Sequence, residues 1–179
     1  MTAKKSYTPT NAALLPGLEK QAENVSSTFK PQEIANTLWA IAKLGRRPGM
    51  RLIDSLEGRL RDVADEFNAQ EVSNTLWAYA TMGLMPGEHT VCFLEGRLCQ
   101  VVVNFNAQAI SNTLWAFATL RRKPGKSIVM LIEKRLGEVV WRCTPQDISN
   151  ILWAYATLGL TPGEKVVRML ETRIRDAVE

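Results

Sequence analysis

The sequence predicts an all-α fold, a right-handed α-solenoid of helix–turn–helix repeats, from three observations. The first is a 38-residue period without insertion or deletion, marked by one tryptophan in each of four units. The second is the segment around that tryptophan, which reads Asn-Thr-Leu-Trp-Ala in three units and Asn-Ile-Leu-Trp-Ala in the fourth. The third is the Pro-Gly pair that begins nine residues after each tryptophan. A fixed period of this length is typical of stacked repeats that share one continuous core. The marker tryptophans are Trp39, Trp77, Trp115 and Trp153.

The first helix of each unit has start and stop signals. An N-cap side chain satisfies a backbone N–H that would otherwise lack a partner, and three units have a favourable cap while the first has Lys30. A glycine ends the helix in three units, where left-handed backbone geometry is needed. The third unit has Arg121 at that position, which leaves open a different turn. The favourable caps are Asn68, Asn106 and Thr144, and the glycines are Gly45, Gly83 and Gly159.

The second helix of each unit starts at the Pro-Gly pair, because proline is well suited to the first helical position. Apolar residues then follow at helical spacing, as in Leu52, Leu56 and Leu60. The predicted organisation is a flexible N-terminus at 1–12, a leading half-repeat helix at 13–28, and repeats at 29–66, 67–104, 105–142 and 143–179, about nine helices in all.

The last predicted helix keeps an apolar stripe that includes Val166, Leu170 and Ile174. Repeat arrays normally end in a polar cap. We therefore expect a further repeat or a partner protein to cover the C-terminal face, unless that face stays exposed, and the chain to be a piece of a longer array.

Composition and charge exclude several classes of protein. The 179 residues are 46% hydrophobic and 22% charged, which is ordinary for a globular protein and excludes a disordered or fibrous chain. No apolar stretch is long enough for a membrane helix, and the N-terminus has no signal peptide, so we expect no membrane partner. The net charge of +4 is compatible with an anionic partner without requiring one.

Catalytic and metal-binding signals are weak, so we expect no enzyme, no metal and no cofactor. The three cysteines, Cys92, Cys99 and Cys143, contain no C-x-x-C pair, and His89 is the one histidine. Neither a phosphate-binding loop nor a nucleophile with a matching base is present.

Two polar ladders, sets of equivalent residues in successive repeats, fall on one face of the first helices. In solenoids of helical hairpins the first helices commonly line the concave side, so the ladders are predicted to line a groove. Binding a ligand and satisfying backbone groups remain equally open roles for the asparagines. The ladders are Gln32, Gln70, Gln108, Gln146 and Asn36, Asn74, Asn112, Asn150.

The four marker tryptophans are predicted to pack in the core, because each large ring has small alanines such as Ala35 and Ala42 near it. The alternative is an exposed ring edge, which could stack on a nucleic-acid base.

Charged side chains concentrate at two places. The turns between the two helices hold Arg46 and Arg47 in repeat 1 and Arg121, Arg122 and Lys123 in repeat 3, on one edge of the stack. They are either solvated surface or, beside a polar groove, phosphate contacts. The second helices carry ladders of opposite sign that are predicted to pair between repeats in a structural role: Glu57, Glu95, Glu133, Glu171 and Arg59, Arg97, Arg135, Arg173.

The period, the Asn-Thr-Leu-Trp-Ala segment and the Pro-Gly pair over residues 29–179 resemble the octotricopeptide repeat family. The related apicomplexan heptatricopeptide repeat proteins are similar as well. The resemblance implies binding of single-stranded RNA in a chloroplast or mitochondrion, in transcript stability, processing, translation or rRNA assembly. It also implies about one base per repeat, read from the first helix.

Under this RNA hypothesis, residues that differ between repeats would choose the base, since identical side chains cannot distinguish bases. These positions are Glu33, Glu71, Ala109, Asp147 and Lys43, Thr81, Thr119, Thr157. The phosphate candidates are Lys43, Arg46, Arg47, Arg121, Arg122 and Lys123. Six such contacts would give a log–log salt slope of about −4 on a single strand. The rival hypothesis is a protein-binding α-solenoid scaffold, which the modest net charge and the uncapped C-terminal face favour.

Overall fold

A computed structural model describes residues 9–176, with side chains from residue 16 onward. Nine α-helices and four single-turn 3₁₀ helices, without a strand, make up this part of the chain. The α-helices are α1 (Pro9–Val25), α2 (Pro31–Lys43), α3 (Met50–Asp62), α4 (Ala69–Met82), α5 (Glu88–Val101), α6 (Ala107–Thr119), α7 (Lys126–Val139), α8 (Pro145–Leu158) and α9 (Glu164–Asp176). The 3₁₀ turns follow four of them, at Ser26–Thr28, Ala64–Glu66, Val102–Asn104 and Val140–Arg142.

The helices pack in two layers. The first helices of the repeats, α2, α4, α6 and α8, each pack on the next one along the chain, and the second helices α1, α3, α5, α7 and α9 do the same. This confirms the predicted all-α helical repeat. The right-handed superhelical sense stays a prediction. Helix α1 begins at Pro9, within the segment 1–12 that was predicted to be flexible, and it continues through Pro16. Residues 1–8 and 177–179 of the predicted organisation lie outside the described residues.

The predicted N-caps form. The Asn68 Oδ1 atom accepts from the Glu71 N–H at 3.0 Å, and the Glu71 carboxylate accepts from the Asn68 N–H at 2.7 Å. Thr144 and Asp147 exchange the same two bonds in repeat 4. At the poor cap, Lys30, the return bond from its N–H to the Glu33 carboxylate is still made, at 2.7 Å. The caps therefore anchor each first helix at the predicted residue.

All four first helices end in the same left-handed turn. Gly45, Gly83 and Gly159 have φ of 65°, 63° and 58°, as predicted, and Arg121 adopts 53°. In repeat 3 the Arg122 N–H reaches back to the Phe117 carbonyl at 2.9 Å, the long bond typical of this helix ending. The turn of repeat 3 therefore does not differ, although an arginine there costs backbone energy that glycine avoids.

The glutamates of the second helices hold the next repeat in place, which we call the glutamate clasp. The Glu57 carboxylate accepts from the Gly87 N–H at 3.1 Å, from the Thr90 hydroxyl at 2.8 Å and from the Tyr79 hydroxyl at 3.0 Å. Burial and the neighbouring Glu57 raise the pKa of Tyr79, so its hydroxyl stays a donor. Glu133 clasps Tyr155 and Gly163 in the same way, and Glu19 accepts from the Gly49 N–H at 3.4 Å.

The arginines of the second helices point the other way along the stack, and we call their bonds the arginine ties. Arg59, Arg97, Arg135 and Arg173 donate through Nε to the carbonyl of the residue 30 positions earlier, at 2.8, 2.6, 2.7 and 3.1 Å. The glutamate and arginine ladders are structural, as predicted. The predicted pairing between them is wrong, because Glu57 and Glu133 bind groups of the following repeat, and the arginines bind the carbonyl of the first residue of their own repeat.

Replacing Arg121 by glycine removes the left-handed strain of the third turn. We expect Arg121→Gly to raise the free energy of unfolding by about 1 kcal/mol, measured by urea denaturation. Arg121→Ala is the control, since alanine keeps the strain, and it should bring no gain. Equal gains from both variants would mean that the arginine charge, and not the backbone conformation, sets the effect.

Candidate nucleic-acid interface

The glutamine and asparagine ladders both reach the surface of the first-helix layer. All four ladder glutamines are exposed, and of the asparagines only Asn36 is fully exposed while the other three are half-buried. In repeat 4 the Gln146 amide donates to Asn150 Oδ1 at 2.9 Å, and Asn150 donates to the Ser111 hydroxyl at 3.3 Å. The ladder glutamines are therefore exposed to a ligand, although Gln146 already bonds to Asn150, and the Asn150 amide also links two repeats.

A polar groove crosses the N-terminal halves of the first helices of repeats 1 to 3. Its volume is about 750 Å³. The predicted ladder residues supply part of its lining. N-cap residues, together with residues at the end of α5 and in the turn after it, line another part of the groove that the sequence did not predict. The polar lining consists of Asn36, Asn68, Gln70, Ser73, Asn74, Arg97, Asn104, Asn106, Gln108 and Asn112, with Trp39 at one side.

The prediction that the four tryptophans pack in the core is wrong for Trp39 and Trp153, which lie at the surface, while Trp77 and Trp115 are half-buried and pack against the core. We call the four the tryptophan ladder. Trp39 is 41% exposed and Trp153 is 46% exposed, while Trp77 and Trp115 are half-buried. The alanines Ala35 and Ala42 do lie in the core, and they adjoin Trp39 on the helix surface, four residues before and three residues after it, so small neighbours do not bury the ring. The sequence signal was present, since the helical wheel places Trp39 at the boundary between the apolar and polar faces.

The rings of the tryptophan ladder lie close to one another and to the ammonium group of Lys43. The ring centroids of Trp77 and Trp115 are 6.5 Å apart with the planes tilted by 31°. Lys43 Nζ lies 5.3 Å from the Trp39 ring centroid and 4.9 Å from that of Trp77, within cation–π range of both. Lys43, a predicted contact residue, therefore places its charge among the tryptophans.

The other variable positions divide into two groups. Thr81 and Thr157 are exposed on the same face as Lys43. The hydroxyl of Thr119 is buried without a hydrogen-bond partner, and the side chain of Ala109 is buried, so neither is presented to a ligand.

Three acidic positions that were predicted to choose the base have capping roles instead. The carboxylates of Glu33, Glu71 and Asp147 each accept a hydrogen bond from the N-cap backbone N–H of their own helix. Asp147 is also buried. These bonds stabilise the helix starts and use one carboxylate oxygen of each side chain.

Most of the basic turn residues hold adjacent repeats together. Arg47 donates to the Gly83 carbonyl at 3.2 Å, and Lys123 donates to the Gly159 carbonyl at 3.4 Å, so each binds the end of the next first helix. Arg122 pairs with Glu95 at 3.0 Å and with Glu88 at 3.1 Å. Arg46 is half-buried and Arg121 is exposed. Three of the five basic turn residues therefore have structural partners within the protein, and the phosphate contacts of this edge stay a prediction.

The described part of the chain contains no cluster of three or more histidine, cysteine or acidic side chains that could hold a metal ion. His89 and Cys92 are exposed, and Cys143 is buried. Burial and the nearby Asp147 charge raise the pKa of the Cys143 thiol to about 11, although the Arg173 charge opposes this. Among the described helices, none combines the length and apolar character needed to cross a membrane.

The fold and this surface define a class: a helical-repeat protein whose first helices display amide and indole side chains in register. The chain belongs to the family of the RNA-editing substrate-binding complex 6 protein, which matches residues 3–176. The family is helical and RNA-associated, which agrees with the sequence prediction at that level and does not single out the octotricopeptide repeats. No curated protein matches the chain.

The ion pairs of Arg122 give a test of the structural role of the basic edge. We expect Arg122→Ala to lower the free energy of unfolding by about 1 kcal/mol, because two carboxylates lose their partner, and urea denaturation measures the change. The loss should shrink at high salt. Lys126→Ala, at an exposed lysine close by, is the matched control and should change little. A loss for Lys126→Ala as large as that for Arg122→Ala would contradict a specific role of the pairs.

Proposed function

We propose that the chain is a non-enzymatic protein that binds single-stranded RNA along its first-helix layer, as part of an RNA-editing substrate-binding complex. The observation that carries this proposal is the tryptophan ladder, in which Trp39 and Trp153 are exposed and Trp39 borders the polar groove. Membership of the RNA-editing substrate-binding complex 6 family supports the RNA-related part.

The surface offers both kinds of contact that a single strand needs. An unpaired base has an apolar face and a polar edge, and stacking on an aromatic side chain is worth about 1–3 kcal/mol per base. The exposed indoles of Trp39 and Trp153 supply stacking faces. Glutamine amides both donate and accept hydrogen bonds, which matches the mixed donors and acceptors of base edges. Lys43 adds a positive charge beside two indoles.

The repeat geometry also supports a strand that runs along the stack, with about one base per repeat. Equivalent side chains recur once per first helix, so a bound strand would meet the same groups at regular intervals. Lys43, Thr81 and Thr157 are the positions on this face that remain candidates for base choice. RNA-editing complex proteins are typically mitochondrial. Of the two organelles that the sequence resemblance implies, the mitochondrion is therefore the one that we propose.

Removal of one indole from the ladder should weaken RNA binding. We expect Trp39→Ala to reduce affinity for a fluorescent pool of random single-stranded RNA by about 5- to 150-fold, the equivalent of one lost stack. Fluorescence anisotropy at ~0.15 M salt measures the change. Trp39→Phe keeps an aromatic face and should stay close to the wild-type affinity.

The matched control for this substitution is Trp141→Ala. Trp141 is 62% exposed but lies in the 3₁₀ turn after α7, outside the first-helix layer. Unchanged affinity in Trp39→Ala, or an equal loss in Trp141→Ala, would refute recognition by the tryptophan ladder.

The salt dependence of binding should reflect the intramolecular partners of the basic edge. Because Arg47, Arg122 and Lys123 already hold groups of the protein, we expect a log–log salt slope shallower than the −4 of six phosphate contacts. The slope is obtained from the same titration repeated over a range of potassium chloride concentrations. A slope of −4 or steeper would mean that these bonds break when RNA binds.

A protein-binding scaffold is the second candidate function. The exposed side chains Leu152 and Ile174, each 41% exposed on the C-terminal face, favour it. Absence of RNA binding even at low salt would leave this candidate as the better account.

A further inference from the structure

The polar groove across repeats 1 to 3 contains a single charge. Arg97 of α5 is the one charged side chain among the described residues that line it. The other polar groups of the lining are side-chain amides and the hydroxyl of Ser73. A groove of this composition carries one positive charge among neutral hydrogen-bonding groups, so it favours an anionic ligand that can also donate and accept hydrogen bonds.

The charge of Arg97 is not shared with a carboxylate, unlike that of its counterparts in repeats 1 and 3. Each of those two arginines pairs with an acidic side chain three residues later. Repeat 2 has the neutral Gln100 at that position, and its amide oxygen accepts from Arg97 Nη1 at 2.6 Å. Arg97 therefore keeps its full positive charge beside the groove. The two ion pairs in the other repeats are Arg59–Asp62 at 3.8 Å and Arg135–Glu138 at 2.7 Å.

The arginine tie of Arg97 is compatible with an anionic partner. The tie uses Nε, which donates to the Phe67 carbonyl at 2.6 Å. In repeat 3, Arg135 makes its tie through Nε and binds the Glu138 carboxylate through Nη1 at the same time. An anionic oxygen can thus bind this guanidinium while the tie stays intact. Gln100, which holds the Nη1 atom of Arg97, is exposed to solvent.

A second position in the lining lacks a carboxylate that the other repeats have. Ala109 is the third residue of α6 and lines the groove. Helix α6 has no acidic residue in its first turn, so it makes no side-chain bond to the N-cap backbone N–H and forgoes the stabilisation that this bond gives. With Gln100, this makes two places near the groove where an acid of the other repeats is replaced by a neutral residue. The acids at the position of Ala109 are Glu33, Glu71 and Asp147.

We propose that the polar groove binds a phosphodiester group of single-stranded RNA through the Arg97 guanidinium, a site that rests on the proposed RNA binding. The groove offers a counterpart to each part of a nucleotide. Trp39 offers an indole for the base, the amides match hydroxyl groups and base edges, and Arg97 matches the phosphate. The phosphate contact thus comes from a second helix, and the basic turn residues do not take part in it.

The variant Gln100→Glu tests this site, because it gives Arg97 the ion-pair partner of its counterparts and keeps the tie. We expect it to bind the fluorescent pool of random single-stranded RNA about 10-fold more weakly than the wild type, the equivalent of one lost charge-assisted hydrogen bond. Its log–log salt slope should be shallower by about 0.7, the share of one phosphate on a single strand. Its urea midpoint should not fall.

The control with the same change in charge is Met130→Glu. Met130 is 69% exposed on the second layer and is not among the residues that line the groove. We expect this variant to stay within about 2-fold of the wild-type affinity at ~0.15 M salt, because a distant surface charge is screened. An affinity that falls no further in Gln100→Glu than in Met130→Glu would overturn the phosphate contact at Arg97.

The variant Ala109→Glu tests the groove from another helix. It copies the capping box of Asn68 and Glu71 onto Asn106, so the urea midpoint should not fall. RNA affinity should nevertheless fall by about 5-fold, since a carboxylate then stands beside the phosphate. An unchanged affinity in a folded Ala109→Glu variant would show that the groove tolerates an acid, and would count against an anionic ligand there.

The same titrations separate this site from the proposed function. Binding that Trp39→Ala weakens and that Gln100→Glu leaves unchanged would retain recognition by the tryptophan ladder and reject the Arg97 site alone. Absence of wild-type binding even at low salt would reject both.

Discussion

The close stacking of consecutive first helices is the interaction on which the rest of the structure depends. Ala78 and Ala116 are completely buried at these interfaces, so the helices approach where side chains are smallest. Two kinds of polar bond then fix the register, since the glutamate clasps hold the following repeat and the arginine ties hold the preceding junction. A shift along the helix axis would break both at once. Because each repeat makes these contacts only with its neighbours, the constraint repeats every 38 residues.

This register also produces the candidate interface. A side chain at a given position of one first helix must lie beside its counterpart on the next, so single surface residues become ladders. The indoles of Trp77 and Trp115 come within 6.5 Å of each other for this reason, and Lys43 reaches both Trp39 and Trp77. An isolated repeat would have neither arrangement. The recognition surface is therefore a property of the array, and its length grows with the number of stacked repeats.

The sequence was sufficient for the caps and the left-handed glycines, because local chemistry determines each of them. It was not sufficient for the tryptophans. A residue at the edge of a helical wheel can lie on either side of an interface, and only the stacking distance decides whether a large ring such as Trp39 fits inside. The ion-pair partner of Arg122 could not be predicted for a similar reason. Arg122 of repeat 3 pairs with Glu95 of repeat 2. In the other clasps the glutamate accepts from the hydroxyl of Tyr79 or Tyr155, but repeat 3 has Phe117 at that position. The effect of this difference is visible only in three dimensions.

The phenylalanine at position 117 also helps to explain which basic side chains are used within the protein and which stay available to a ligand. Without a tyrosine hydroxyl, Glu95 needs another donor, and the arginine that follows the left-handed residue Arg121 provides it. Arg47 and Lys123 bind the carbonyl ends of neighbouring helices, where the helix dipole favours a positive charge. The basic edge is thus used mainly within the protein. What remains exposed is a surface of amides and indoles. Under the proposed function it would recognise RNA by stacking and hydrogen bonding, with less dependence on counterion release. Such a surface suits the selection of unpaired bases better than the tight, nonspecific binding of any polyanion.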